Sequence, residues 1–132
     1  MRFKYQDKFT VRAPAEVVGP ALLKAITEPA DSSTLYGTLK NSTLKKFGPL
    51  PVEQRSDTHF AIDCMRGPWH LKAEYVVTGT GTAGVAEVAY KEVYTRRVIS
   101  PVTRLNYSFN HLFTGKMKQG FADEVQAYSG VS

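Results

Sequence analysis

Two acids stand where the alternation of the chain turns them inward. Asp7 falls in the run Phe3, Tyr5, Asp7, Phe9, Val11, and Glu92 shares a side with Ala86, Val88, Tyr90 and Tyr94. A carboxyl on the apolar side of a strand has two fates. It reaches water through a strand end or bulge, or it is desolvated and can hold a proton or act as a general acid/base. Asp7 and Glu92 are therefore the catalytic candidates. Other reactive side chains carry less. His59, His70 and His111 show no ligand spacing, so no metal site is expected. Cys64 lies beside Phe60 and Ile62 on an alternating face and reads as a small buried hydrophobe. Gly79-x-Gly81-x-x-Gly84 matches a dinucleotide-binding pattern. That chemistry needs a helix at the glycines and an acid about 20 residues on. The segment after Gly84 alternates like a strand, and no acid occurs between Glu92 and Asp123. A hairpin is expected there, and no cofactor.

The aromatic residues are more informative. Phe9, Phe60, Trp69, Tyr75, Tyr90, Phe109 and Phe113 all fall on expected inward faces. An ordinary core accounts for any one of them. Together they exceed what packing of a small sheet requires, and the tyrosine hydroxyls need partners. Apolar walls with a few convergent polar groups are the usual pattern of a ligand cavity. The expected lining adds Ile62, Leu71 and Met117, with Asn106 and Asn110 one helical turn apart as polar groups.

These side chains need elements to place them. The period-two opening is a half-buried strand. Pro14 suits a first helical turn, Val18, Leu22 or Leu23, and Ile26 recur at helical spacing, and Gly19-Pro20 should kink or divide that helix. A second short helix is expected near Asp31–Thr34. From Thr38 the pattern turns to strands: Ser42 to Phe47 as a modest candidate, then a meander from Thr58 to Tyr94 broken at Arg66-Gly67-Pro68 and Gly79–Gly84. Ser100-Pro101 then opens a helix. Its apolar stripe is Leu105, Phe109, Leu112, Phe113, Met117, Phe121, Val125 and Tyr128, and Ser129-Gly130 stops it. Such a stripe must be buried, and the sheet is the partner large enough. The expected fold class is α+β: a curved antiparallel β-sheet gripping a long C-terminal α-helix, with two short helices after the first strand.

Composition bounds the rest. At 132 residues, 42% hydrophobic and 22% charged, the chain reads as one globular domain spanning residues 1–132. No apolar run exceeds three residues, so no transmembrane segment is expected, and the opening alternation lacks the core of a signal peptide. A single cysteine points to a reducing compartment and a cytoplasmic location. The net charge of +5 comes from 17 basic residues that are mostly dispersed, the adjacent pairs being Lys45-Lys46 and Arg96-Arg97. No DNA partner is expected from such a surface. A homodimer is compatible with the composition.

The stretch Val11-Arg12-Ala13-Pro14-Ala15-Glu16-Val17-Val18 after a first strand resembles the strand-to-helix junction of the START-like superfamily, also called SRPBCC or Bet v 1-like helix-grip proteins. The hairpin Gly79–Gly84 leading into Val85–Tyr90 is similar to their late hairpin, and the helix from Ser100 to Tyr128 takes the place of theirs. The resemblance covers almost the whole chain. It departs after the second helix, where Leu35-Tyr36 stands for an aromatic-proline pattern. It implies a cavity for a small hydrophobic molecule, lipid- or polyketide-like, in a carrier or an aromatase/cyclase, or else a protein partner. Two functions stay open at this point. One is binding of a hydrophobic or aromatic ligand, with Asp7 or Glu92 handling protons. The other is a protein-interaction or RNA-associated module of the same fold that uses the basic surface.

Overall fold

The computed structural model describes residues 2–96 and 114–130. The opening alternation forms strand β1 (Arg2–Val11), with Phe9 and Val11 buried and Lys4, Gln6, Lys8 and Thr10 facing water. Pro14 then starts helix α1 (Ala15–Thr27), its carbonyl accepting from the amides of Val17 and Val18 at 2.9 and 3.0 Å. The helix is continuous through Pro20, so of the kink or division expected at Gly19-Pro20 the division does not occur. Pro20 lies on the exposed side with Glu16, whose carbonyl it deprives of a partner, so water can satisfy that carbonyl. Val18, Leu22, Ala25 and Ile26 form the buried stripe.

Helix α2 (Leu35–Phe47) replaces the strand expected over Ser42 to Phe47. The Thr34 hydroxyl caps it by accepting from the Gly37 amide at 2.9 Å. Tyr36, Lys40, Leu44 and Phe47 follow one another at helical intervals, and a lysine inside the stripe hides the period from a hydrophobicity reading. Gly48, at φ 71°, ends the helix in the left-handed region that favours glycine.

Among the described residues five antiparallel strands form the sheet, in the order β1-β5-β4-β3-β2. Beyond β1 they are β2 (Val52–Ser56), β3 (His59–Arg66), β4 (Trp69–Gly79) and β5 (Ala86–Arg96). The β3-β4-β5 meander follows the alternation closely. Strand β2 had no signal of its own: Glu53, Gln54, Arg55 and Ser56 are all exposed, and the ladder to β3 holds them. Gly79–Gly84 is the β4–β5 hairpin loop, closed by the Thr80 amide on the Val85 carbonyl, with Gly84 at φ 74°. Register fixes two rows across the inner face. Tyr5, Glu92, Ala73 and Ile62 make one, and Asp7, Tyr90, Tyr75 and Phe60 the other.

Helix α3 (Thr114–Tyr128) lies against this inner face. Phe121 anchors it, its ring meeting Phe9 and Tyr90 edge-on at 5.4 Å and Tyr75 at 6.0 Å. The Gln126 amide clamps the start of α1, accepting from the Arg12 amide and donating to its carbonyl. The helix stops where the sequence indicates, with the Ser129 hydroxyl returned to the Val125 carbonyl and Gly130 at φ 72°. The earlier part of the expected helix, with Leu105, Phe109, Leu112 and Phe113, lies outside the described residues.

At Gly19 helix α1 passes close to the β2–β3 turn: a Cβ there would lie 2.2 Å from the Asp57 carbonyl oxygen. Alanine favours a helix over glycine by about 1 kcal/mol. Overpacking against a backbone atom costs about 1–3 kcal/mol. Gly19→Ala should therefore lower stability in chemical denaturation, whereas Gly79→Ala, with nothing within 4 Å, should change it little. A Gly19→Ala protein as stable as the native chain would contradict this contact.

Candidate functional site

Between the inner face of the sheet and the helices lies a cavity of about 90 Å³. That is room for several water molecules or the end of a small ligand. The sheet contributes Leu71, Tyr75, Tyr90, Glu92 and Tyr94, with Tyr5 from the edge strand. Helix α1 supplies Ala25 and Ile26, α2 supplies Tyr36, Leu39, Lys40 and Leu44, and α3 supplies Phe121. The wall is mostly apolar, with polar groups at a few points.

Glu92 is the central one. Its carboxylate oxygen Oε2 accepts from the Tyr75 hydroxyl at 2.6 Å and from the Tyr94 hydroxyl at 3.3 Å. Ala73 is its partner on β4, and Glu92, half-buried, is part of the cavity wall. Burial pushes the Glu92 carboxyl up from its ordinary value, and the two tyrosine bonds oppose this only in part. Burial and the Glu92 charge likewise push the Tyr75 and Tyr94 hydroxyls up, so they act as donors rather than as ionised groups. A neutral carboxyl in such surroundings can donate a proton, and its anion would be met by two hydroxyl donors.

Asp7 differs. It shares the inward row with Tyr90, but its carboxylate accepts from the Lys8 amide at 2.8 Å and pairs with Lys118 on α3 at 3.3 Å. The Lys8 amide holds it below the usual carboxylate range against the opposing effect of burial, and Lys118 adds to the lowering. It ties helix to sheet and is not among the residues lining the cavity.

Of the expected lining, Leu71, Tyr75 and Tyr90 reach the cavity. Phe9, Phe60 and Ile62 are buried in the core beside it, and Trp69 is half-buried against that core at the start of β4. Asn106, Phe109, Asn110 and Phe113 fall outside the described residues, as does the side chain of Met117. Sequence reasoning left out Tyr5, Tyr94 and Phe121, although alternation and helical spacing had already turned all three inward. Tyr36, Lys40 and Leu44 could be found only by reading α2 as a helix. Among the described residues no cluster of histidine, cysteine and acid could hold a metal. His59 and His70 instead pair with Glu74 and Asp63.

No family model and no curated protein matches the sequence. Solved structures do match in shape. The Zhui aromatase/cyclase of a Streptomyces species superposes with a TM-score of 0.51 at 9% identity, over 98% of this chain and 94% of that one. Ara h 8.0201 does so at 0.52 and 8% identity, over 98% of both chains. This is the helix-grip fold. The di-domain ARO/CYC BexL matches at 0.55 and 10% identity over 97% of this chain, which spans about half (46%) of its length. At these identities the shared property is the helix-grip architecture, Bet v 1-like and α+β, as the sequence resemblance implied. No described helix is long and apolar enough to cross a membrane.

Glu92 makes stability depend on pH in a definite sense. Its folded-state pKa lies above the unfolded value near 4.5. The stabilisation is therefore complete below that value and is lost as pH rises through the folded one. Glu92→Gln cannot ionise. Its melting temperature relative to the native chain should rise as pH increases above 4.5. Parallel profiles for the two proteins would show that the carboxyl is not perturbed.

Proposed function

We propose that this helix-grip domain binds a small hydrophobic or aromatic molecule, polyketide- or lipid-like, in the cavity between sheet and helices. The observation that carries the reading is Glu92, desolvated at an apolar cavity and held by the hydroxyls of Tyr75 and Tyr94. Apolar packing alone requires no carboxyl there, and a carboxyl with a perturbed pKa at a cavity is the usual mark of a functional group. One of the structures that share the fold is named an aromatase/cyclase and another ARO/CYC, which supports a ligand of this class.

The chemistry that fits is acid/base handling of an enolisable ligand. Neutral Glu92 would give a proton to a ligand oxygen, or its carboxylate would take one from an acidic carbon. Tyr75 and Tyr94 would stabilise the charge that develops on Glu92. Asp7, already committed to Lys118, has no part in this reading. A cytoplasmic location is proposed with it, on the single cysteine.

Native mass spectrometry of the purified protein should show a copurifying small molecule, and naphthalene-sized compounds should bind saturably with little dependence on salt. Tyr75→Leu, which removes an aromatic face from the cavity wall, should weaken binding by roughly 2- to 10-fold. Leu44→Trp, which fills the cavity from α2, should abolish it, and the exposed Lys45→Ala should leave it unchanged. Absence of any apolar binding, with RNA bound in a steeply salt-dependent way, would instead establish the basic surface as the working part.

A further inference from the structure

Lys40 occupies an unusual place. It sits in the middle of the inward stripe of α2, between Tyr36 and Leu44, and is the one cation among the described residues lining the cavity. Its side chain is only 10% exposed, and Nζ pairs with Glu124 of α3, itself 14% exposed. An ammonium has three N–H donors. Among the described residues Glu124 is the acceptor for one, and the Tyr36 ring lies 6.0 Å from Nζ. Glu124 has a second neighbour in the Tyr36 hydroxyl at 3.4 Å. The cation is thus nearly removed from water, with donor capacity to spare, on the wall of an otherwise apolar space. The flexible four-carbon stem of lysine lets Nζ take a new acceptor without moving the helix.

We propose that Lys40 receives a carboxylate carried by the ligand, so that the cavity takes small aromatic or acyl acids. This rests on the ligand-binding reading given above and specifies its chemical class. The ligand's apolar body lies against Ile26, Leu44 and Leu71, and its carboxylate accepts from Lys40, sharing the ammonium with Glu124 or displacing it. Glu124 is then the counterweight. Its negative charge balances Lys40 in the empty cavity and opposes an incoming anion. Glu92, on the sheet side, carries no charge to repel the acid while it keeps its proton.

Calorimetry with 2-naphthoate and its neutral methyl ester tests the proposal. The native protein should prefer the acid by about tenfold or more, as a charge-assisted hydrogen bond provides. Glu124→Gln should increase that preference by removing the competing anion, and Lys40→Arg should keep it. The double variant Lys40→Met/Glu124→Gln, which removes both charges together, should still bind the ester and lose the preference. Equal binding of the two probes by the native protein, or a preference that survives the double variant, overturns the role of Lys40 and leaves the cavity reading standing. Failure of both probes to bind overturns that reading and the proposal with it. Circular dichroism checks that the double variant is folded. If it is not, Glu124→Gln decides alone, and an unchanged preference rejects the proposal.

Discussion

A carboxyl taken out of water must be given partners, and this fold is arranged around one such group. An isolated buried carboxylate costs several kcal/mol even after relaxation. Glu92 avoids that cost in two ways. It leans toward the neutral form, and it offers an acceptor to two tyrosine hydroxyls that would otherwise be buried without one. The three groups satisfy one another. Register makes this possible: Glu92 opposes Ala73 and Tyr5, Tyr94 follows on the same face, and Tyr75 stands diagonally on β4.

The helices determine what remains open above that row. Phe121 fills one side, packed edge-on into Phe9, Tyr75 and Tyr90, and so fixes α3 on the sheet. Helix α2 crosses α3 closely enough that a Cβ at Gly120 would lie 2.5 Å from Tyr36 Cβ. Lys40 and Glu124 join the same pair of helices. Helix α2 therefore roofs the cavity without filling it, and its outer residues, such as Ser42 and Lys45, face water.

Much of this was legible in the chain. Period-two alternation placed Tyr75, Tyr90 and Glu92 inward because an antiparallel sheet with one wet face enforces it. The C-terminal stripe was legible for the same reason, since Phe121 and Val125 recur at helical spacing and must be buried. Three features were not. A lysine at the centre of its inward stripe disguised α2, and a hydrophobicity pattern has no means to see an ion pair whose partner is on another helix. Strand β2 is held by its ladder and not by its side chains. The role of Asp7 depends on Lys118, 111 residues away, which no local pattern can disclose. Pro20 shows the reverse error. Its local rule was sound, but exposure of Glu16 on the same side lets water meet the carbonyl that Pro20 leaves unpaired, and the helix is not divided.

The central claim is that Glu92 is a desolvated carboxyl poised at the cavity. Carbon-detected NMR of the side-chain carboxyls, with the Glu92 signal assigned by its absence in Glu92→Gln, measures this directly. The account predicts a Glu92 midpoint above the ordinary value of 4.5 while Asp7 titrates below its ordinary 3.8. A Glu92 midpoint at or below 4.5 would show a solvated carboxylate and contradict the account.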